Sequence, residues 1–132
     1  MCVANSARSQ MAEALAKSLC PPDYQIYSAG SAPTVINPFA IQVLSESKIM
    51  VHRPFSKKVD DLPKDFLNKL NYVITLCQEE VCPVLSSQSA IKLHWPLPDP
   101  AQKNVSDEKS IELFRQARDT IKMKIQEFLK TI

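Results

Sequence analysis

The chain has 132 residues, of which 45% are hydrophobic and 23% charged, and its formal net charge is +2. This length corresponds to one domain spanning residues 1–132, able to bury roughly two thirds of its unfolded surface. Basic and acidic residues are mixed along the chain and no apolar run approaches the roughly 18 residues of a membrane span, so we expect a cytoplasmic protein that binds neither nucleic acid nor membrane.

Helical and extended patterns alternate along the sequence. Periodicity and breakers predict helices over Ser9 to about Leu19, Asn37–Pro38 to about Ser47, part of Asp61 to Leu70, and about Asp107 to Lys130. Short apolar runs predict strands over residues 24–28, Tyr72 to Leu76, and 91–93. This order favours an α/β fold, a single domain with a parallel sheet and helices on both faces. Ligands of such folds usually bind at the carboxyl ends of the strands.

The first candidate site lies at the start of the chain, where five residues separate Cys2 from Arg8 and a predicted helix follows at once. This spacing suits a loop whose backbone N–H groups point inward as a nest for a tetrahedral oxyanion. Arg8 would add a planar fork that pairs with two oxygens, and the surrounding donors would favour the thiolate of Cys2. The expected oxyanion-binding residues are Val3, Ala4, Asn5, Ser6, Ala7 and Arg8.

The chain contains four cysteines, Cys2, Cys20, Cys77 and Cys82. A reducing compartment and a low share of cysteine favour reactive thiols over structural disulfides. Cys20 stands at the predicted end of the first helix. We interpret His94 and Trp95 as packing residues and His52 as a surface residue.

Three motifs in order give the chain its family resemblance. The segment Cys2 to Ala16, CVANSARSQMAEALA, resembles the phosphate loop of the low-molecular-weight tyrosine phosphatases and of their relatives, the thioredoxin-coupled arsenate reductases. The later VITLC run ending at Cys77, the pair Cys82-Pro83, and the His94-Trp95 and Asp99-Pro100-Ala101 segments are similar to the arsenate reductases. The phosphatases usually carry tyrosine after the Asp-Pro and lack the cysteine pair.

The resemblance implies a role for each matching residue. Cys2 would attack arsenic, Arg8 and the loop amides would hold the oxyanion, Ser9 would hydrogen-bond the Cys2 sulfur, and Asp99 would act as general acid. Cys77 would then attack the Cys2 adduct and release arsenite. Cys82 would attack Cys77, and thioredoxin would reduce the resulting Cys77–Cys82 disulfide.

The sequence departs from the family pattern in four places. Ala4 stands where the family commonly has glycine, and the four residues between Cys77 and Cys82 form a shorter segment than usual. No cofactor is expected to be tightly bound. Relatives can bind a potassium ion, and Asn5, Glu13 and Ser28 match three of its ligands. The third departure is at the fourth ligand position, which falls at about Lys57, whose ammonium could replace the ion.

The fourth departure is at the N-terminus, where the family has an interior strand and this chain has only Met1 before Cys2. The chain thus apparently lacks the family's first strand. Either the start is truncated or misassigned, or another element, such as one from a second copy, fills the gap.

The leading hypothesis is a thioredoxin-dependent arsenate reductase acting on arsenate or a phosphate-like oxyanion. One alternative is a phosphatase for phosphotyrosine or small phosphoesters, which would need no second thiol. Another is a non-catalytic oxyanion-binding or arsenic-sensing protein. The sequence does not separate thioredoxin from glutaredoxin as the reductant.

Overall fold

A computed structural model describes residues 1–51, 55–78 and 89–132. Its helices are α1 (Arg8–Leu19), α2 (Pro38–Glu46), α3 (Lys64–Asn68) and α4 (Asp107–Leu129), with one 3-10 turn at Val59–Asp61. Its strands are β1 (Tyr72–Thr75) and β2 (Ile91–His94), which pair in parallel with Tyr72 opposite Ile91. The parallel α/β architecture predicted from the sequence is confirmed.

The helix boundaries follow local sequence signals. The Asn37 side chain accepts from the Phe39 N–H at 2.9 Å, and Pro38 occupies the first turn of α2, where its missing N–H costs nothing. The Ser106 side chain caps α4 in the same way by accepting from the Lys109 N–H. Helix α1 ends at Leu19, as predicted, and its C-cap residue Cys20 directly precedes two prolines.

The core lies where α1, α2 and α4 meet. Helix α4 contributes a stripe of buried residues at spacings of three and four, which is the period of one helix face. The largest fully buried side chains of this core are Met11, Leu15, Leu44, Leu76, Phe114 and Ile121. No helix in the described part of the chain is long and apolar enough to span a membrane.

The strand predicted over residues 24–28 is wrong, because the structure has extended chain there without a strand ladder. Beside this segment, Cys2 and Gly30 form an isolated parallel bridge. Among the described residues, no strand pairs with residues 24–28. A strand needs a partner for its hydrogen bonds, however favourable its side-chain alternation.

Candidate active site

The loop between Cys2 and α1 turns its backbone carbonyls away from its centre. The carbonyls of Val3, Ala4 and Ser6 accept from the N–H groups of Ala32, Thr34 and Asn37 at 2.9, 3.0 and 2.9 Å. The Asn5 carbonyl accepts from the side chains of Gln10 and Ser56, and the Ala7 carbonyl accepts from the Met11 N–H. Each carbonyl from residue 3 to residue 7 is thus held outward.

The amides of the same loop behave in the opposite way. Among the described residues, no protein acceptor is hydrogen-bonded to the N–H groups of residues 3–7. Helix α1 begins directly after them, with no side chain capping its N-terminus. Oriented amides and a helix N-terminus both favour an anion. The predicted anion-binding geometry is therefore present in the backbone.

Asn5 gives the loop its shape. Its φ of 48° lies in the left-handed region, which asparagine adopts at less cost than most residues. Its fully buried amide donates to the hydroxyls of Ser9 at 2.8 Å and Ser28 at 3.0 Å. The amide oxygen accepts from Gln10 Nε2 and from the backbone N–H of Lys57 at 2.9 and 3.0 Å. The loop conformation is thus fixed from the chain around it.

Gly30 supports the loop from beneath, a role that the sequence reasoning missed. A Cβ built on Gly30 would clash with the Val3 carbonyl oxygen. It would also lie 3.0 Å from the Asn5 nitrogen and 3.0 Å from the Cys2 oxygen. Its φ is not positive, so it is required for close approach and not for a turn. The available signal was its rarity, since it is the one glycine in the sequence. Gln10 and Ser56, which hold the Asn5 carbonyl, carried no comparable signal.

The Cys2 thiol lies at the base of the loop and is 4% exposed. Burial raises the pKa of Cys2 above its ordinary value, although the Met1 ammonium, Arg8 and hydrogen bonds from the hydroxyl and backbone of Ser9 act in the opposite direction. The expectation that Cys2 is unusually acidic is therefore wrong for this structure, because desolvation outweighs the nearby positive charges. The expected contact between Ser9 and the sulfur is present.

Arg8 and Asp99 come together beside this loop. The buried Arg8 side chain donates from Nη1 to the Leu97 carbonyl at 2.8 Å and to the Leu76 carbonyl at 3.5 Å. Its Nη2 lies 4.0 Å from Asp99 Oδ2. Asp99 is about half exposed and accepts from the Ala101 N–H in a turn. The carboxyl can thus reach both the guanidinium and solvent, as a proton donor to a departing oxygen would need.

A buried charge pair lies behind the loop at the residues considered for potassium. Lys57 Nζ is 3.3 Å from Glu13 Oε2 and 3.5 Å from Ser28 Oγ, and the Ser28 hydroxyl donates to Glu13 at 2.9 Å. The side chains of Lys57 and Glu13 are 8% and 11% exposed. The described residues contain no cluster of three or more histidine, cysteine, aspartate or glutamate side chains that could hold a metal.

Cys77 directly follows the segment that supports Arg8. It is disulfide-bonded, 2% exposed, and belongs to the same core cluster as Cys2. Cys82 and His52 lie outside the described residues. Cys20 is a partly buried free thiol at the C-terminal cap of α1, as expected.

The two aromatic residues before the acid loop differ in burial. Trp95 packs edge-on against Phe128, as expected for a packing residue. His94 is exposed, and its Nδ1 lies 2.7 Å from the Thr75 hydroxyl, so its interpretation as a packing residue is wrong.

Comparison with known proteins gives one consistent picture. The family model described as low molecular weight phosphotyrosine protein phosphatase matches residues 1–132. An arsenate reductase of Oceanobacillus iheyensis is 36% identical over 133 residues, covering 99% of this chain and 93% of the relative. A solved arsenate reductase in the phosphate binding state has 29% identity and a TM-score of 0.77, covering 99% and 94% of the two chains. A thioredoxin-dependent arsenate reductase of Corynebacterium glutamicum has 28% identity and a TM-score of 0.71, covering 98% of this chain and 58% of that one.

Proposed function

Because the chain belongs to the low molecular weight phosphotyrosine protein phosphatase family, we propose that it reduces arsenate to arsenite with Cys2 as the nucleophile. The observation that carries this proposal is the loop of residues 3–7, whose carbonyls are held outward while its amides lack protein acceptors in the described chain. Such a loop binds a tetrahedral dianion, and the buried sulfur at its base would face the bound arsenic. The relatives named as arsenate reductases favour this substrate.

The proposed first step joins sulfur to arsenic. The Cys2 thiolate attacks the bound arsenate, and one arsenic–oxygen bond breaks as that oxygen takes a proton from Asp99 and leaves as water. Arsenic is still As(V) in this adduct. Arg8 and the loop amides stabilise the charge on the remaining oxygens. The 4.0 Å separation of Arg8 Nη2 and Asp99 Oδ2 supports their action on one group.

The second step supplies the electrons. Once the disulfide that Cys77 forms in this structure has been reduced, the Cys77 thiolate attacks the Cys2 sulfur, a Cys2–Cys77 disulfide forms, and the sulfur–arsenic electron pair leaves with arsenic as As(III) arsenite. Cys82 then attacks Cys77 and frees Cys2, and thioredoxin reduces the Cys77–Cys82 disulfide with two electrons. The burial of Cys77 in the core cluster that contains Cys2 supports the first exchange. The named thioredoxin dependence of the Corynebacterium glutamicum relative supports the last.

The proposal is tested by coupling arsenate reduction to thioredoxin, thioredoxin reductase and NADPH. Arg8→Lys should lower kcat/KM by about 10²-fold or more, since a point charge cannot replace the planar fork. Arg115→Lys, a matched change at an exposed arginine of α4, should leave it unchanged. No NADPH oxidation by the wild-type protein with either thioredoxin or glutaredoxin would contradict the assignment.

A phosphatase activity is the second candidate, favoured by the approach of Asp99 to Arg8 at the loop. Hydrolysis of a phosphoester needs the nucleophile, the loop and the acid, and it needs no second thiol. Cys77→Ser should therefore abolish arsenate reduction and preserve hydrolysis of p-nitrophenyl phosphate. Oxyanion binding without either turnover would instead indicate a sensor.

We also propose that Lys57 supplies the positive charge for which the family can use potassium. Its ammonium lies within 3.5 Å of Ser28 Oγ and 3.3 Å of Glu13 Oε2, two of the oxygens that the ion would need. A tethered ammonium and a potassium ion compete for the same position. The loop, which Asn5 links to Ser28, would then keep its shape without added potassium.

A further inference from the structure

The segment 98–105 lies between the core and helix α4, and it carries the proposed acid Asp99. We call it the acid loop. It follows the buried Leu97 and ends before Ser106, the cap of α4. Within the acid loop only Pro100 is buried, and the other residues are exposed. Packing therefore does little to fix its conformation.

Hydrogen bonds inside the acid loop take the place of packing. The Ala101 N–H donates to Asp99 Oδ1 at 3.0 Å, and the Gln102 N–H donates to the Pro100 carbonyl at 3.1 Å. The Gln102 side chain donates from Nε2 to the Asp99 carbonyl at 2.5 Å. Within the described ranges, no other side chain donates a hydrogen bond to the backbone of residues 98–105.

These hydrogen bonds decide where the Asp99 carboxyl points. Because Oδ1 is held by the Ala101 N–H, Oδ2 is the oxygen that lies 4.0 Å from Arg8 Nη2, beside the oxyanion loop. The proline that follows Asp99 favours an extended backbone at Asp99. Gln102 fixes the peptide unit between that proline and Asp99, since it holds the carbonyl of this unit.

We propose that Gln102 is a positioning residue, which holds the acid loop so that Asp99 can give its proton to the oxygen that leaves the bound oxyanion. The inference rests on the proposed role of Asp99 as general acid. A general acid loses its effect when its carboxyl spends time out of reach of the leaving oxygen. Gln102 hydrogen-bonds neither Arg8 nor the oxyanion loop in the described chain, so it should affect proton transfer and leave oxyanion binding unchanged.

The first test separates turnover from binding. Gln102→Met keeps the size of the side chain and removes its donor, so kcat/KM for arsenate should fall about three- to tenfold, which corresponds to the net free energy of one hydrogen bond. The inhibition constant of phosphate, which reports binding alone, should stay within about twofold of its wild-type value, because one lost hydrogen bond outside the oxyanion loop removes no contact to the anion. Gln116→Met, the matched change at an exposed glutamine of α4, should change neither quantity.

A double-mutant cycle with Asp99→Asn distinguishes positioning from a general loss of structure. The carboxamide of the Asp99→Asn variant has no acidic proton to deliver. If Gln102 acts through the Asp99 carboxyl, adding Gln102→Met to Asp99→Asn should change kcat/KM by less than about twofold. An equal loss in both backgrounds, or an unchanged kcat/KM in the single Gln102→Met variant, would overturn the proposal.

Backbone ¹⁵N relaxation tests the same contact without turnover. The order parameters of residues 99 and 101 should be about 0.85 in the wild-type protein, as in rigid backbone, and about 0.7 or lower in Gln102→Met. The absence of arsenate turnover by the wild-type protein would overturn the proposed function. Unchanged order parameters in Gln102→Met would overturn the positioning role of Gln102, whatever the turnover.

Discussion

Replacing Gly30 with alanine is the most direct test of how the oxyanion loop is held. The new Cβ would clash with the Val3 carbonyl oxygen, and it would stand 3.0 Å from the Asn5 nitrogen and the Cys2 oxygen. All three neighbours are backbone atoms, so no side chain can rotate away. The loop must shift by roughly 1 Å, a misplacement that can cost about 10²-fold in catalysis.

The change should also be visible without turnover. Overpacking of this kind costs about 1–3 kcal/mol, which for a chain of this size lowers Tm by roughly 3–15 °C. We expect calorimetry to show both a lower Tm and a loss of at least tenfold in arsenate or phosphate affinity. The matched control is Ser31→Ala, an exposed neighbour that should change neither quantity. If Gly30→Ala keeps its oxyanion affinity within twofold, the loop is not held by this contact.

The remaining predictions concern charge. Because burial raises the pKa of Cys2, its alkylation by iodoacetamide should still increase as the pH rises past the ordinary thiol value, and a plateau already reached at pH 7 would refute this. Desolvation lowers the pKa of the Met1 amine, so the stabilising contribution of the neutral amine to the folded state should be present above pH 8.0 and should decrease as the pH falls. Acetylation of the amine should remove this pH dependence of the free energy of unfolding, as measured by urea titration. Lys57→Met removes the buried partner of Glu13, which keeps its ion pair with the exposed Lys17 and its hydrogen bond from Ser28, and should cost about 1–3 kcal/mol, partly restored by potassium chloride. Lys58→Met at an exposed site should cost nothing measurable.

The sequence predicts well where one local signal dominates. Helix α4 follows from its apolar stripe, and the oxyanion loop follows from the spacing of Cys2 and Arg8 together with the helix behind them. Asn5 adopts the left-handed conformation, which asparagine tolerates better than most residues. These features depend on residues that are neighbours in the chain, so tertiary contacts change them little.

Prediction fails where the outcome depends on distant partners. Residues 24–28 have the alternation of a strand but lack a ladder, because no strand in the described part of the chain pairs with them. The acidity of Cys2 was misjudged for a related reason. Its spacing to Arg8 is visible in the sequence, whereas its depth of burial depends on how the rest of the chain packs over it.

The oxyanion loop is held by the segment that follows Gly30. The carbonyls of Val3, Ala4 and Ser6 accept from N–H groups of that segment, and Gly30 forms parallel bridges with Cys2 and Lys58. An anion bound to the loop amides should therefore stabilise the loop and this segment together, and with them the folded state. We expect phosphate to raise the Tm of the wild-type protein and to raise it less in Gly30→Ala, because the shifted loop binds the anion more weakly. An equal increase of Tm in both proteins, measured by calorimetry, would show that the contact at Gly30 does not support anion binding.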